Sequence, residues 1–506
     1  MSVNELKAGA TLNYIILGLN ALLGLVYTPF MLRMLGQSEY GIYSLAASVI
    51  AYLSILDLGF GNAVIRYTAK FRAEGKLEEQ YSLFGMFTLF YAIIGLLVLC
   101  IGLVLYFNVG NLFGKTLSIA EIQQTKTIIL LMVFNLAITF PLSIYGAIIT
   151  AYENFIFLRI LQIFRLLLTT IVMICLLKLG YKAVALVIAQ TFFNVITLWC
   201  NYFYCRRKIK IKVRFSRLNI PLLKEIMIYS FWIFLNVIFD RIYWSTGQFV
   251  LGATIGSVAI AVFAVAIQLE GMYMMFSTGV SGVFLPRITA MVTFNNSWRE
   301  ISDLFTRVGR IQFIVIAYIL SGFIVFGKAF IYFWAGKDYG ESYIITLIFF
   351  VSLTIPLIQN LGIIILQARN QMKFRSLLYL VISLVSLFWQ IPMARYFGGI
   401  GCALAIGGAL LLGHGLIINI YYSRVQQIDI GCFWKAIAKM SVVPVIMVVI
   451  SLFVMKYFVI DSVWKLIMGI IVYSMVYFPL FWNFSMNEYE HNLLKTPLLK
   501  LVNRAR

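Results

Sequence analysis

Apolar residues run along this chain in long stretches, separated by short segments where Gly, Asn, Lys and Arg concentrate. A helix needs about 20 apolar residues to cross the hydrocarbon core, where only internal hydrogen bonds satisfy the backbone. That rule predicts about fourteen spans, near residues 10–32, 40–64, 81–106, 127–151, 158–178, 182–204, 226–251, 258–285, 308–334, 342–367, 376–397, 400–423, 439–459 and 463–485. The opening stretch MSVNELKAGATLNYIILGLNALLGLVYTPFML lacks the short apolar core and small-residue cleavage site of a removable signal. It is expected to stay as the first span. Composition points the same way: 62% of residues are hydrophobic and 12% charged, against about 25% charged in soluble domains. The expected fold class is an all-α polytopic membrane protein.

Basic residues alternate with the loops. Even-numbered loops carry Arg66, Lys70, Arg72 and Lys76, then RRKIKIKVRFSR (Arg206 to Arg217), then Arg287, Arg299 and Arg307. The series continues with ARNQMKFR, Lys435 and Lys439, and ends at Lys495, Lys500, Arg504 and Arg506. Odd-numbered loops carry few or none. Cytoplasmic loops collect Lys and Arg, so both termini are expected on the cytoplasmic side. The same rule accounts for the net charge of +21 without a nucleic-acid partner. The six cysteines fall in or beside apolar spans with no CxxC pair, which gives no reason to expect disulfides or zinc.

The chain also repeats itself. LNALLGLVYTPFMLRMLG, ending at Gly36, matches LNVIFDRIYWSTGQFVLG, ending at Gly252, and RYTA from Arg66 matches RITA from Arg287. AYEN from Ala151 and ARNQ from Ala368 hold equivalent places at nearly the same shift. Spans 1–6 and 7–12 therefore read as two copies, related by a pseudo-two-fold axis along the membrane normal, with spans 13–14 appended. The expected domains are 1–205 (N-lobe), 206–225 (basic cytoplasmic linker), 226–425 (C-lobe) and 426–506 (spans 13–14 and tail).

Only the second copy places charge at mid-span: Asp240 and Arg241 align with Gly24 and Leu25. Such a residue costs roughly 2.5–3.5 kcal/mol on insertion scales, so it faces protein or a wet cavity. Adjacent helical residues point about 100° apart, so the two do not naturally pair with each other. Asn236, Asp240, Tyr243, Trp244 and Gly247 share one face, with Arg241, Ser245 and Gln248 beside it. Two readings coexist. Asp240 could clamp another helix through an arginine such as Arg165, or the stripe could line a water-filled cavity that Asn20, the repeat mate of Asn236, faces from the first copy. Glu270 is a candidate cation or proton site or a packed structural acid. Asp57 could cap its helix or pair with Arg66. Arg66 and Arg287, repeat-related, could flank an anion entrance or simply follow the basic-loop rule. His414 is expected to pack rather than ligate.

No HExxH, DxD, P-loop or nucleophile elbow is present. Without a nucleotide loop, ATP is not expected as the direct energy source, and no enzyme activity is expected. The longest outer loop, FNVGNLFGKTLSIAEIQQTK, offers little chemistry.

LRMLGQSEYGIYSLAASVIAYLSILDLGFGNAVIRYTAKFRAEG closely resembles the opening of the bacterial polysaccharide-transporter family, the Wzx-type flippases of O-antigen and capsule units. FDRIYWSTGQFVLGATIGSVAIAVFAVA resembles that family's span 7 to span 8 pattern, with Phe263 where a Tyr is usual. FWAGKDYGESYIITLIFF and ILQARNQMKF resemble its second-lobe landmarks. The resemblance implies two six-helix lobes forming a V around a central cavity, plus two C-terminal helices, in the bacterial inner membrane. It implies an undecaprenyl-diphosphate-linked oligosaccharide as cargo, polymerase and other polysaccharide-assembly proteins as partners, and membrane lipids around it. No cofactor is implied beyond a possible exchange of H+ or Na+ through Asp240 or Glu270. A cationic lumen would make Arg241 the diphosphate contact, with Asn20, Asn236, Tyr243 and Trp244 meeting diphosphate or sugar. The same fold also serves multidrug antiporters and the lipid II flippase. A membrane-embedded polysaccharide-assembly enzyme is the remote alternative.

Overall fold

The computed structural model describes residues 3–215, 220–281, 297–369 and 371–493, with 284, 288, 291, 292 and 495. Within these helices the side chains of 3–7, 9, 10, 220, 222, 228, 229, 232, 233, 236 and 279–281 lie outside the description. The helices are α1 (Val3–Leu35), α2 (Gln37–Leu53), α3 (Phe60–Ala73), α4 (Leu77–Phe113), α5 (Ile119–Ala151), α6 (Phe155–Lys178), α7 (Ala183–Tyr204), α8 (Ile220–Thr254) and α9 (Ser257–Ser281). They continue as α10 (Trp298–Trp334), α11 (Ser342–Ile358), α12 (Leu361–Ala368), α13 (Met372–Leu410), α14 (Asn419–Arg424), α15 (Ile430–Met455) and α16 (Val463–Phe484). No strand occurs among the described residues.

Among those residues, eleven helical stretches are long and apolar enough to cross a membrane, or twelve if α11 and α12, bent by 42°, form one broken span. The protein is thus a multi-pass helical membrane protein. The expected fourteen differ for two readable reasons. One stretch, Met372–Arg424, covers two expected spans, because its helix kinks at Gly398 (φ 61°) without a loop. And α8 stands outside the set because several of its residues lie outside the description.

The chain divides into two compact units, Met1–Ala264 with Leu387–Cys402, and Val265–Ser386 with Ala403–Arg506. In the first, close helix contact depends on glycine, as expected where lipid supplies no hydrophobic drive between helices. An added Cβ at Gly95 would meet the Ala137 carbonyl at 2.7 Å, and one at Gly102 the Val133 side chain at 2.3 Å, so α4 and α5 lie nearly backbone to backbone. Span 2 breaks after α2: a short tight turn, Ser54–Asp57, leads through left-handed Leu58 and Gly59 into α3. Asp57 does not pair with Arg66. It accepts from Tyr91 Oη at 2.9 Å, and Tyr91 stacks on Phe140 at 6.1 Å. The stretch after α7 folds onto the start of α4, where Arg214 N donates to Tyr81 O at 3.1 Å and its guanidinium pairs with Glu78.

In the second unit, Tyr273 stacks on Phe350 at 4.1 Å and bonds Thr354 at 2.8 Å, joining α9 to α11. Buried Arg310 on α10 is held by Glu490 through both carboxylate oxygens, at 2.5 and 3.0 Å. His414 packs as expected, buried and bonded to Tyr379.

Candidate functional site

α8 carries the polar stripe, and packing splits it into two sides. Tyr243, Ser245, Thr246 and Gly247 are buried. Thr246 bonds Tyr52 of α2, and a Cβ on Gly247 would sit 2.7 Å from the Phe263 ring. Glu225, at the other end of α8, accepts from Tyr67 of α3 at 3.0 Å. These contacts place α8 within the first unit, although the repeat relates it to α1. The open side is the line Asp240, Arg241, Trp244 and Gln248. Asp240 is exposed and the other three are half-buried. These four sit at spacings of one, three and four residues, which is one helical face.

On that face the charges keep separate environments. Asp240 projects outward, while Arg241 lies half-buried with its Nε enclosed and lacking a hydrogen-bond partner. Trp244 packs edge-on against Tyr243 at 5.1 Å, so the buried tyrosine backs the half-open indole. A guanidinium, an indole N–H and an amide on one open face form a donor-rich surface suited to an anion carrying hydroxyls.

The other expected residues scatter. Asn20 is exposed on α1, whose helix neighbours are α6 and α2. Arg66 is exposed on α3, its guanidinium 5.8 Å from the Tyr67 ring. Glu270 is buried in α9 and belongs to the second unit. Arg287 and the side chain of Asn236 lie outside the described residues. The expected clamp from Arg165 to Asp240 is corrected: among the described residues, no salt bridge involves Arg165.

One cluster escaped the sequence reading. At the unit's end remote from the basic loops, Glu121 Oε1 accepts from Ser38 at 2.6 Å and Ser257 at 2.5 Å, while its Oε2 accepts from Ser118 N at 2.8 Å. Beside it, buried Glu39 accepts from Gln124 at 2.8 Å and meets Lys182 at 3.3 Å. The turns before α2, α5, α7 and α9 are thus tied to one another. The available signal was the Ser-x-x-Glu spacing of Ser118 and Glu121, which marks a capping box. The spacing predicts the cap; the reach to Ser38 and Ser257 is tertiary.

Many long apolar helices, with α8 carrying charge on an open face, define a polytopic membrane architecture. Its fold is that of a lipid II flippase MurJ in an inward-closed conformation (TM-score 0.72, 18% identity, 94% of this chain and 98% of that one). An inward-facing multidrug resistance MATE family transporter of the MOP superfamily is also similar (TM-score 0.64, 15% identity, 81% and 99% covered). A family model described as "Polysaccharide biosynthesis protein" matches residues 6–292, and the chain belongs to that family. The chain is 23% identical over 432 residues to a Salmonella typhi protein named "Putative O-antigen transporter", covering 81% of this chain and 90% of that one. A Salmonella typhimurium protein of the same name is 30% identical over 99 residues, and that match spans only 22% of its length.

Proposed function

We propose that this protein is a flippase moving an undecaprenyl-diphosphate-linked oligosaccharide from the cytoplasmic to the outer leaflet, for surface polysaccharide synthesis, by alternating access. Family membership and the curated relatives' name support a saccharide cargo and argue for transport rather than bond-making chemistry. Fourteen spans in two six-helix copies plus two helices, both termini cytoplasmic, in a bacterial inner membrane, complete the reading. Polysaccharide polymerase and assembly proteins are its expected partners.

The observation that carries the proposal is the open face of α8. A half-buried Arg241 with an enclosed, unpartnered Nε, midway along a membrane helix beside exposed Asp240, favours a face that meets water or a polar cargo. A diphosphate and its sugars cannot cross hydrocarbon unaided, because each uncompensated polar group costs several kcal/mol. A polar track lets the head group pass while the lipid tail stays in the bilayer. The inside-negative potential favours outward movement of an anion by about 2.3 kcal/mol per charge per 100 mV, so a diphosphate gains drive without ATP. In this reading Arg241 meets the diphosphate. Trp244 and Asn20 meet sugar or phosphate, with Asn236 and Tyr243 beside them, and Arg66 and Arg287 flank the cytoplasmic entrance. Asp240 orients Arg241, and Asp240 or Glu270 exchanges H+ or Na+.

Replacing Arg241 by Ala, at equal protein level in the membrane, is expected to reduce surface polysaccharide at least tenfold. Undiminished export removes Arg241 from the mechanism. The lipid II reading draws on the fold likeness. Deletion separates the two: cells that stay viable and lose only surface polysaccharide exclude an essential lipid II role.

A further inference from the structure

The first unit contains a second cationic site, distant in sequence from α8. Near the basic-loop end of α5, α6 and α7 lies a cavity of about 340 Å³ lined by Thr150, Arg159, Gln162, Arg165, Thr197 and Asn201 among others. Its end of the unit is set by the chain: α5 stops at Ala151, α6 starts at Phe155, and α7 stops at Tyr204 just before Arg206, Arg207 and Lys208.

Three observations give the cavity a chemistry. Both arginines line it, and among the described residues no carboxylate forms a salt bridge with either. Arg159 Nη1 donates to Gln162 Oε1 at 3.1 Å, which fixes that guanidinium at the cavity wall. Asn201 is only 8% exposed, yet its Oδ1 has no hydrogen-bond partner. Buried polar atoms are nearly always satisfied, so an enclosed, unsatisfied acceptor beside the two guanidinium groups marks this wall as polar. A neighbouring cavity on α6 and α7, lined by Val172, Leu176, Ile188 and Phe192, is apolar and of similar size, about 360 Å³. Between Arg165 and Lys178 at its far end, α6 carries no charge.

Depth narrows the ligand further. Arg159 lies about 6 Å and Arg165 about 15 Å along α6 from Phe155, at 1.5 Å rise per residue. The cavity thus descends from headgroup level into the hydrocarbon, and α6 turns Phe164, Leu168 and Ile171 outward as exposed apolar residues. Guanidinium forks recognise phosphate oxygens through paired N–H donors.

We infer that this cavity binds a phosphate group presented at the depth of a lipid head group. The inference goes beyond the proposed export function and stands whether or not α8 carries a saccharide cargo. The phosphate could come from a lipid or from a soluble phosphate ester, and the test separates these.

Full-length protein, purified in detergent, is titrated with dioleoylphosphatidic acid in mixed micelles and, separately, with inorganic diphosphate, with binding read by native mass spectrometry and melting temperature. Dioleoylphosphatidylcholine serves as the zwitterionic control. Wild-type protein is expected to bind phosphatidic acid at least tenfold more tightly than R159Q/R165Q, with phosphatidylcholine equal for both. R165K, which keeps charge but loses the fork, should fall between them and guards against misfolding of the double variant. Binding of diphosphate alone, lost in R159Q/R165Q, assigns the site to a soluble phosphate. Equal phosphatidic acid and diphosphate binding by wild type and a folded R159Q/R165Q, or by wild type and R165K, overturns the inference. Undiminished export in an Arg241 variant, with this binding intact, would count against the α8 reading alone.

Discussion

Ser257 Oγ, at the start of α9, donates to Glu121 Oε1, at the start of α5, at 2.5 Å, and Ser38 Oγ meets the same oxygen at 2.6 Å. One carboxylate therefore joins three helix starts and caps its own helix. Replacing it with alanine leaves two hydroxyls and a helix terminus without their acceptor, a cost of about 1–3 kcal/mol where these groups are shielded from water. E121A is expected to melt several degrees below wild type, with E121Q between them. If the turns must part for alternating access, joining S38C to S257C with a short bifunctional reagent should stop export until the link is cleaved. Export that continues at full rate through the linked protein excludes motion there.

The same turn depends on a glycine. A Cβ at Gly41 would stand 2.0 Å from the Ser257 carbonyl oxygen, a backbone atom that cannot swing aside. Overpacking of this kind typically costs about 1–3 kcal/mol. G41A should lower the folded yield and melting temperature. G18A, where nothing lies within 4 Å of the new methyl, should not. Equal melting of the two variants would show that the turn is not held this closely.

In the second unit the buried pair Arg310–Glu490 makes a stronger claim. Removing one partner of a buried ion pair strands the other charge and costs about 3–5 kcal/mol, whereas replacing both by apolar groups can be neutral. R310M and E490L should each destabilise sharply, and R310M/E490L should recover most of the loss. A double variant as unstable as the sum of the singles would mean that the residues act independently.

The helical, multi-pass class was readable because it rests on many residues along one dimension. The α8 stripe was readable because charge inside an apolar run is rare. What failed was tertiary. Helical spacing put Tyr243 and Trp244 on one face, but in the folded protein the first is buried and the second half-open. Asp57 was offered Arg66 as a near neighbour and instead bonds Tyr91 from α4. Gly398 breaks a helix without a loop, so two expected spans fall in one helical stretch. Nothing along the chain places Arg159 and Arg165 around Asn201.

Glu270 and Asp240 can be separated experimentally, because their burial differs. Glu270 is 4% exposed and Asp240 is open. A carboxyl group inside a membrane protein must be met by a proton, a cation or hydrogen-bond donors, and a buried one can carry a transported cation only if that company changes during the cycle. Asp240, already exposed, is better placed to position Arg241. In sealed vesicles with an imposed proton or sodium gradient, E270Q is expected to export at a rate independent of the gradient. D240N should lower the rate several-fold at every gradient while keeping its slope. Retention of full gradient dependence by E270Q, with its loss in D240N, would reverse the two assignments.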